Sequence, residues 1–281
     1  MPKPPASGPS GTVDQSLQSA IHALQIGRPD EAERLAAGVL KANRANSAAA
    51  TVLARALMTQ GRAADAIPIL ERVARRGDDA AIETLLAASL AAAGRHEEAL
   101  GQLRRTVARR PPFMPAFLEL ASQLGHRGQY GDAIGLLEEG AALLPGAVQM
   151  QVELAFLHVK RNERSIARAL LSRATEAAPH RPEVWAAVAQ IAQLDGDYAA
   201  AADFYRRALA LRPDDAMTRK NLGTCLLEMN ERAGGEMTIR TAVRAAPQLA
   251  GLAMFSLAAA SHGRFFLSMD RAQAFLRGEK S

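Results

Sequence analysis

Residues 182–215 read PEVWAAVAQIAQLDGDYAAAADFYRRALALRPDD, and this stretch decides the fold. Trp185 opens an apolar stripe with helical spacing, which is interrupted at Gly196. A second helical stripe follows and ends at Pro213, because proline cannot continue a helix. The stretch therefore predicts two amphipathic helices joined by a tight turn, with the indole of Trp185 buried.

The same pattern recurs along most of the chain. Its terminal prolines lie 34 residues apart, at Pro111, Pro145, Pro179, Pro213 and Pro247. One position of the second helix is always small, as in Ala32, Ala66, Ala99, Ala133, Ala167, Ala201 and Gly235. The turn is always a residue type that tolerates a left-handed backbone: Gly27, Gly61, Gly94, Gly128, Asn162, Gly196 and Asn230. Because paired helices approach closely only where side chains are short, the pattern predicts seven helical hairpins.

The order of residue types in this unit resembles the tetratricopeptide repeat (TPR). Its characteristic places are taken by Trp185, Gly196, Tyr198, Ala201, Tyr205, Ala208 and Pro213. The resemblance implies an all-α fold, a right-handed superhelical solenoid of antiparallel helix pairs. Each repeat of a solenoid contacts only its neighbours, so we expect one elongated domain with a continuous core. The predicted parts are a disordered leader at 1–12, seven repeats at 13–249 and capping helices at 250–281.

The C-terminal segment departs from the repeat period and carries four of the eight phenylalanines, Phe255, Phe265, Phe266 and Phe275. We interpret it as a cap that covers the open apolar face of the seventh repeat, with Ser268 as the N-cap of a last helix. Two other interpretations are a docking surface for another protein and a stub that leads to a further domain.

Composition and charge restrict the function classes. The chain has 281 residues, a net charge of +5 and a pI near 9.8, with a basic excess that is almost entirely arginine. We interpret the densest arginines as a solvated convex face, and nucleic-acid binding through that face is the disfavoured alternative: Arg72, Arg75, Arg76, Arg104, Arg105, Arg109 and Arg110. The single Cys225, the lack of a legible signal peptide and the lack of a membrane-length apolar stretch predict a cytoplasmic protein. The abundance of alanine and arginine suggests a bacterial genome.

The sequence contains no motif that would indicate an enzyme. Phosphate-binding loops, dinucleotide-binding turns, zinc-protease helices, cysteine pairs and nucleophile elbows are all absent. We therefore predict a non-catalytic protein with no cofactor and no metal. Cys225 is expected to be an inert buried thiol, and His158 a hydrogen-bonded histidine of the core.

The resemblance implies that the first helices of the pairs line a concave groove. Positions five, nine and twelve of each unit then face this groove. The predicted partner-binding residues are Arg55, Met58, Leu118, Ser122, Phe156, Gln190, Gln193, Lys220 and Thr224. Several positions of this face must also pack between neighbouring first helices. The face is mostly apolar and neutral, and this predicts that the groove binds an apolar or amphipathic segment of a partner protein.

Two further functional interpretations come from the resemblance. Some TPR proteins hold the acidic tail of a chaperone with a clamp of Lys, Asn and Arg on successive first helices. Here only Arg55 and Lys220 are cationic among the predicted groove residues, and they are five repeats apart, so that activity is disfavoured. Other bacterial repeats recruit substrates for glycosyltransferases or sulfotransferases, which gives the alternative function. The identity of the partner and the oligomeric state stay open.

Overall fold

The computed structural model describes residues 9–278, with side chains described from residue 13 onward. This part of the chain contains 16 α-helices and no β-strand, which confirms the all-α prediction. Residues 1–8 of the predicted leader lie outside the described residues, and the first helix begins at Pro9. The helices are α1 (Pro9–Gln25), α2 (Pro29–Ala42), α3 (Ser47–Thr59), α4 (Ala63–Ala74), α5 (Ala80–Ala92), α6 (His96–Val107), α7 (Met114–His126), α8 (Tyr130–Leu143), α9 (Val148–Lys160), α10 (Arg164–Ala177), α11 (Pro182–Leu194), α12 (Tyr198–Leu211), α13 (Ala216–Glu228), α14 (Arg232–Ala245), α15 (Ala250–Ala259) and α16 (Met269–Arg277).

The chain divides into two compact units, of which one ends at Pro145 and the next begins at Gly146. The first unit holds four antiparallel pairs, α1 to α8, and the second holds three pairs, α9 to α14, followed by α15 and α16. The boundary follows the end of α8, where Gly146 has a φ of 89°; among the described residues, no other linker between pairs contains a left-handed residue.

The turn inside each pair is built as the sequence predicted. All seven glycine and asparagine residues have left-handed backbone, with φ between 62° and 81°. The amide that follows each of them donates to a carbonyl five residues earlier, as from Arg28 to Ala23 at 2.8 Å and from Glu231 to Leu226 at 2.8 Å. This hydrogen bond closes a helix C-terminus only when the residue before the donor has positive φ. The repeated glycine and asparagine therefore reverse the chain once in every hairpin.

Short side chains lie buried between the two helices of each pair, which confirms the second part of the pattern. In six pairs an alanine of the first helix and an alanine of the second are both at most 3% exposed: Ala20 with Ala32, Ala54 with Ala66, Ala87 with Ala99, Ala121 with Ala133, Ala155 with Ala167, and Ala189 with Ala201. The pair α13–α14 has glycine in both places, Gly223 and Gly235. Its helices approach so closely that a Cβ atom on Gly235 would lie 2.8 Å from the carbonyl oxygen of Gly223.

A buried polar network joins α5 to α6 in the first unit. Glu83 is 7% exposed, and its carboxylate accepts hydrogen bonds from the Thr106 hydroxyl at 3.0 Å and from the Arg109 guanidinium at 2.6 Å. Arg109 also forms an ion pair with Asp78. A buried carboxylate is tolerated only when it is paired and hydrogen-bonded. The guanidinium of Arg109 is therefore held in this network by acidic side chains of the protein.

The C-terminal helices pack onto the last pair. Leu257 of α15 and Leu276 of α16 join Leu227 and Ile239 of the last pair in one buried cluster. Ser268 accepts a hydrogen bond from the Arg271 amide at 3.4 Å, which confirms it as the N-cap of α16. Of the helices in the described part of the chain, none is long and apolar enough to cross a lipid bilayer.

Candidate functional site

Four predicted groove residues lie on first helices of the first unit, Arg55 and Met58 on α3 and Leu118 and Ser122 on α7. Arg55 and Ser122 are exposed, whereas Met58 and Leu118 are half-buried. The Met58 sulfur accepts a hydrogen bond from the Ser89 hydroxyl of α5 at 3.4 Å, so α3 and α5 are in direct contact here. Of the four, Met58 lines the cleft described next.

A cleft of about 1010 Å³ lies among α3, α5, α7 and the first turn of α6; we name it the α3–α5–α7 cleft. Its apolar lining consists of Met58, Ala88, Ala91, Ala92 and Leu100. On the α7 side, three polar residues line it at helical spacing, Glu119, Gln123 and His126. On α7 these residues come one position later in the chain than the groove positions predicted from sequence, Leu118 and Ser122. Their i, i+4, i+7 spacing on an otherwise apolar helix was the available signal.

The charged groups at the rim of this cleft are paired with each other. Glu97 contacts Arg127 at 2.6 Å, and Glu98 contacts Arg95 at 2.7 Å. The hydrogen bond from Arg127 lowers the pKa of Glu97, and the hydrogen bond from Arg95 lowers the pKa of Glu98. Both carboxyl groups are therefore ionised at neutral pH, and both rim guanidinium groups already have an anionic partner.

In the second unit, the protein itself uses the polar groups of two predicted groove residues. Gln193 accepts a hydrogen bond from the Tyr205 hydroxyl at 2.9 Å, and the Lys220 ammonium donates to Ser256 at 3.2 Å. Burial lowers the pKa of Lys220. The two side chains therefore hold neighbouring helices together, and this restricts what they can offer to a ligand.

The other predicted groove residues of the second unit differ in exposure. Phe156 is half-buried and packs against the core cluster around Val152. Gln190 is exposed, and Thr224 is half-buried with its hydroxyl bonded to the Lys220 carbonyl at 3.2 Å. Three further residues, at position five or twelve of their repeat units, are buried, as expected between neighbouring first helices: Ala91, Val152 and Leu227.

Trp185 is half-buried, so the prediction of a buried indole is wrong. Its ring stacks on Phe204, with centroids 5.9 Å apart, and its Nε1 donates to the Pro179 carbonyl at 2.7 Å. The Arg207 guanidinium lies 5.0 Å from the ring centroid. The indole lines a crevice of about 380 Å³ together with Leu171, and α12 covers only part of the ring.

The histidine of α9 has the predicted structural role. His158 is 9% exposed, and its Nδ1 lies 2.7 Å from the Glu163 carboxylate. Within residues 13–278 there is no group of three or more His, Cys, Asp or Glu side chains that could hold a metal ion.

Cys225 is a free, fully buried cysteine in the middle of α13. We expect it to resist dithiobis-nitrobenzoate in the native protein and to react fully in urea. Burial raises the pKa of its thiol to about 12, so the reactive thiolate is scarce at neutral pH. Absorbance of the released thiol, recorded with and without urea, measures both reactions. Labelling of the native protein as fast as in urea would contradict the buried position.

Some of the clustered arginines that the sequence assigns to a solvated convex face make contacts within the protein. Arg109 binds Glu83, Arg105 donates to Gln102 at 2.7 Å, and Arg75 pairs with its neighbour Glu71 at 3.3 Å. These arginines already have partners within the protein. Arg72, Arg76 and Arg104 make no ion pair or side-chain hydrogen bond within the described residues. Arg110 makes no ion pair there, and its guanidinium donates to backbone carbonyls, as to that of Arg109 at 2.8 Å.

The phenylalanines of the C-terminal segment are divided between packing and exposure. Phe266 and Phe275 lie 5.2 Å apart between centroids and pack against the cluster around Leu257. Phe255 is 72% exposed and Phe265 is 76% exposed. The segment thus combines residues that cover the last pair with residues that leave apolar surface open.

Comparisons with known proteins agree with this architecture. A family profile described as tetratricopeptide repeat matches residues 23–89, 57–124, 126–191 and 192–258. No curated protein matches the sequence. Among solved structures, the APC/C hetero-tetramer Cut9-Hcn1 has a TM-score of 0.57 and 17% identity over 96% of this chain and 56% of that chain. The human IFIT1 dimer with m7Gppp-AAAA has a TM-score of 0.60 and 13% identity over 87% of this chain and 63% of that chain.

At such identities the likeness to these structures shows the fold alone, and the chain spans less than two thirds of the length of either. The profile matches, in contrast, extend over most of the chain. They coincide with the hairpins whose left-handed turns and buried small residues the structure shows. Repeats of this kind support a protein-interaction scaffold, and their fold is typically non-catalytic. The chain belongs to the tetratricopeptide repeat family.

Proposed function

We propose that the α3–α5–α7 cleft binds an amphipathic segment of a partner protein. The observation that carries this proposal is its apolar floor, in which Met58, Ala88 and Ala91 lie between three first helices. Small side chains leave room there for the larger apolar side chains of a ligand. A helix or extended segment buries such side chains in a groove at regular spacing, which is a common mode of peptide recognition.

The charges of the cleft favour a segment that also carries a lysine or arginine. Arg95 and Arg127 are neutralised by rim carboxylates, so they contribute little attraction for an acidic peptide. Glu119 accepts a hydrogen bond from the Gln123 amide at 2.8 Å and has no cationic partner within the described residues. A cation of the ligand placed beside Glu119 would satisfy that carboxylate. The sequence likewise disfavours an acidic chaperone tail as the ligand.

In the second unit, the predicted groove residues form a separate face, which we include in the same proposal as a second place of partner contact. Gln190 is exposed and Phe156 is half-buried on neighbouring first helices, α11 and α9. Aromatic side chains often dominate interface energy, so Phe156 is the residue of this face that we assign to partner contact. Gln193 and Lys220 support the fold beneath it through their internal hydrogen bonds.

Ala88→Arg is expected to abolish capture of the partner without unfolding the protein. The arginine side chain would fill the cleft between α3 and α7, and arginine has nearly the helix propensity of alanine. The measurement is affinity capture from a lysate of the native host with the full chain, followed by quantitative mass spectrometry. The expected loss is at least about tenfold, which corresponds to about 1.4 kcal/mol.

Ala64→Arg is the matched control. Ala64 is an exposed residue of α4 outside the cleft, so the same substitution changes the net charge equally and leaves the cleft open. Proteins that bind the cleft should be captured by the wild type and by the control but not by Ala88→Arg. If every captured protein is retained by Ala88→Arg, with unchanged thermal melting, the cleft is not the binding site.

A further inference from the structure

A second hollow in the first unit lies on the side of the second helices. Its volume is about 740 Å³, and α2, α3 and α4 with the residues after α2 and α4 line it. Four of its lining residues are cations, Lys41, Arg44, Arg72 and Arg76. Leu53 and the half-buried Ile69 contribute to an apolar floor. The four cations come from two different repeats, so the fold alone brings them to one place.

The four cationic side chains have no partner in the described part of the protein. None of them makes an ion pair or a side-chain hydrogen bond there, and none of the residues that line the hollow is acidic. The carboxylates on α2 and α4 are mostly engaged with other arginines, in the pairs Glu31–Arg28, Glu33–Arg62, Asp65–Arg62 and Glu71–Arg75. Like charges that face one hollow repel each other, and an anion bound between them removes that repulsion.

Helix dipoles explain only part of this arrangement. Lys41 and Arg72 lie in the last turns of α2 and α4, where a cation is favoured by the partial negative charge of the helix end. Arg44 and Arg76 lie beyond those helices, so the same effect does not account for them. Nor does it account for the convergence of both helix ends on a single hollow with an apolar floor.

We propose that this hollow binds a small molecule that carries two or more phosphate groups. Its volume lies in the range of small-molecule pockets and exceeds what one phosphate ion requires. Guanidinium groups bind phosphate oxygens in pairs, and three of the four cations are arginines. Several phosphates on one ligand can pair with the cations of both repeats at once. The floor at Leu53 and Ile69 suits the carbon skeleton of a phosphate ester.

The test is a calorimetric titration of the full chain with tripolyphosphate. We expect one binding site, and we expect Arg44→Glu and Arg72→Glu each to weaken binding at least about tenfold, as for the loss of a charge-assisted hydrogen bond. Tripolyphosphate should also raise the melting temperature of the wild type more than that of either variant. Arg44 lies outside the helices, so Arg44→Glu keeps the test valid even if Arg72→Glu disturbs α4.

Arg104→Glu is the matched control, because Arg104 is exposed, lies in the last turn of α6 and is outside the hollow. It should change the affinity for tripolyphosphate by less than about twofold, since exposed charges act weakly at a distance. An equal loss in this control would show binding by net charge alone and would overturn the proposal. The absence of any binding of tripolyphosphate by the wild type would also overturn it.

Two further arms identify the source of the phosphates. If the protein binds vesicles that contain phosphatidylinositol bisphosphate, and tripolyphosphate displaces it from them, the site is supported with a lipid headgroup as its ligand. If the protein binds tripolyphosphate but not the vesicles, the site is supported with a soluble polyphosphate as its ligand. Duplex RNA is the third probe. If RNA binds, depends on Arg104 as strongly as on Arg44, and is not displaced by tripolyphosphate, the surface is a nucleic-acid face and the proposed small-molecule site is wrong.

Discussion

Gly235→Ala is expected to lower the free energy of unfolding by about 1–3 kcal/mol, as overpacking of a tight contact does. A Cβ atom at this position would lie 2.8 Å from the carbonyl oxygen of Gly223 and 2.8 Å from Leu227. The oxygen belongs to the backbone of α13, so it can withdraw only if the two helices separate. The sequence suggests the opposite sign, because alanine fills this place in every other repeat and is favoured over glycine in helices by about 1 kcal/mol.

Gly234→Ala is the control for this prediction, in the same helix and at the preceding residue. A Cβ atom there would have Leu226 as its nearest neighbour, at an ordinary contact distance of 3.9 Å. We therefore expect Gly234→Ala to stabilise the protein by about 0.5–1 kcal/mol. Urea unfolding followed by circular dichroism measures both variants. Stabilisation by both substitutions would show that α13 and α14 are not in the close contact described.

Ala201→Leu is expected to destabilise the protein by about 3 kcal/mol, at the upper end of the range for overpacked cores. Ala201 is fully buried and belongs to one cluster with Ala189 of the facing helix and Tyr205. The isobutyl group has no free volume to enter, so α11 and α12 must move apart. Any such movement also disturbs the hydrogen bond from Tyr205 to Gln193, whose donor and acceptor lie on these two helices.

Ala210→Leu separates overpacking from any general effect of leucine on α12. Ala210 is exposed near the end of the same helix, and leucine has nearly the helix propensity of alanine. Its unfolding free energy should stay within about 0.5 kcal/mol of the wild type. Thermal and urea unfolding of the two variants give the comparison. Equal stability of both variants would mean that Ala201 does not face the first helix of its pair.

The C-terminal segment and the groove show where prediction from sequence was incomplete. Ser268 was identifiable as a helix cap because capping depends on a few neighbouring residues. On α7 the cleft is lined by Glu119 and Gln123, each one residue after the predicted Leu118 and Ser122. A shift of one residue rotates the lining of a helix by about 100°, and repeat spacing alone does not fix that rotation.

The sequence by itself determined the helix pairs, their turns and their family. These features depend on local chemistry: the backbone conformations open to Gly196 or Asn230, and the short side chains that let two helices meet. Only the tertiary structure decided which contacts are closest and which charges converge. The contact of Gly223 with Gly235 depends on how two helices pack, and so does the position of Arg44 and Arg72 around one hollow. In both cases packing brings together residues from different helices or different repeats.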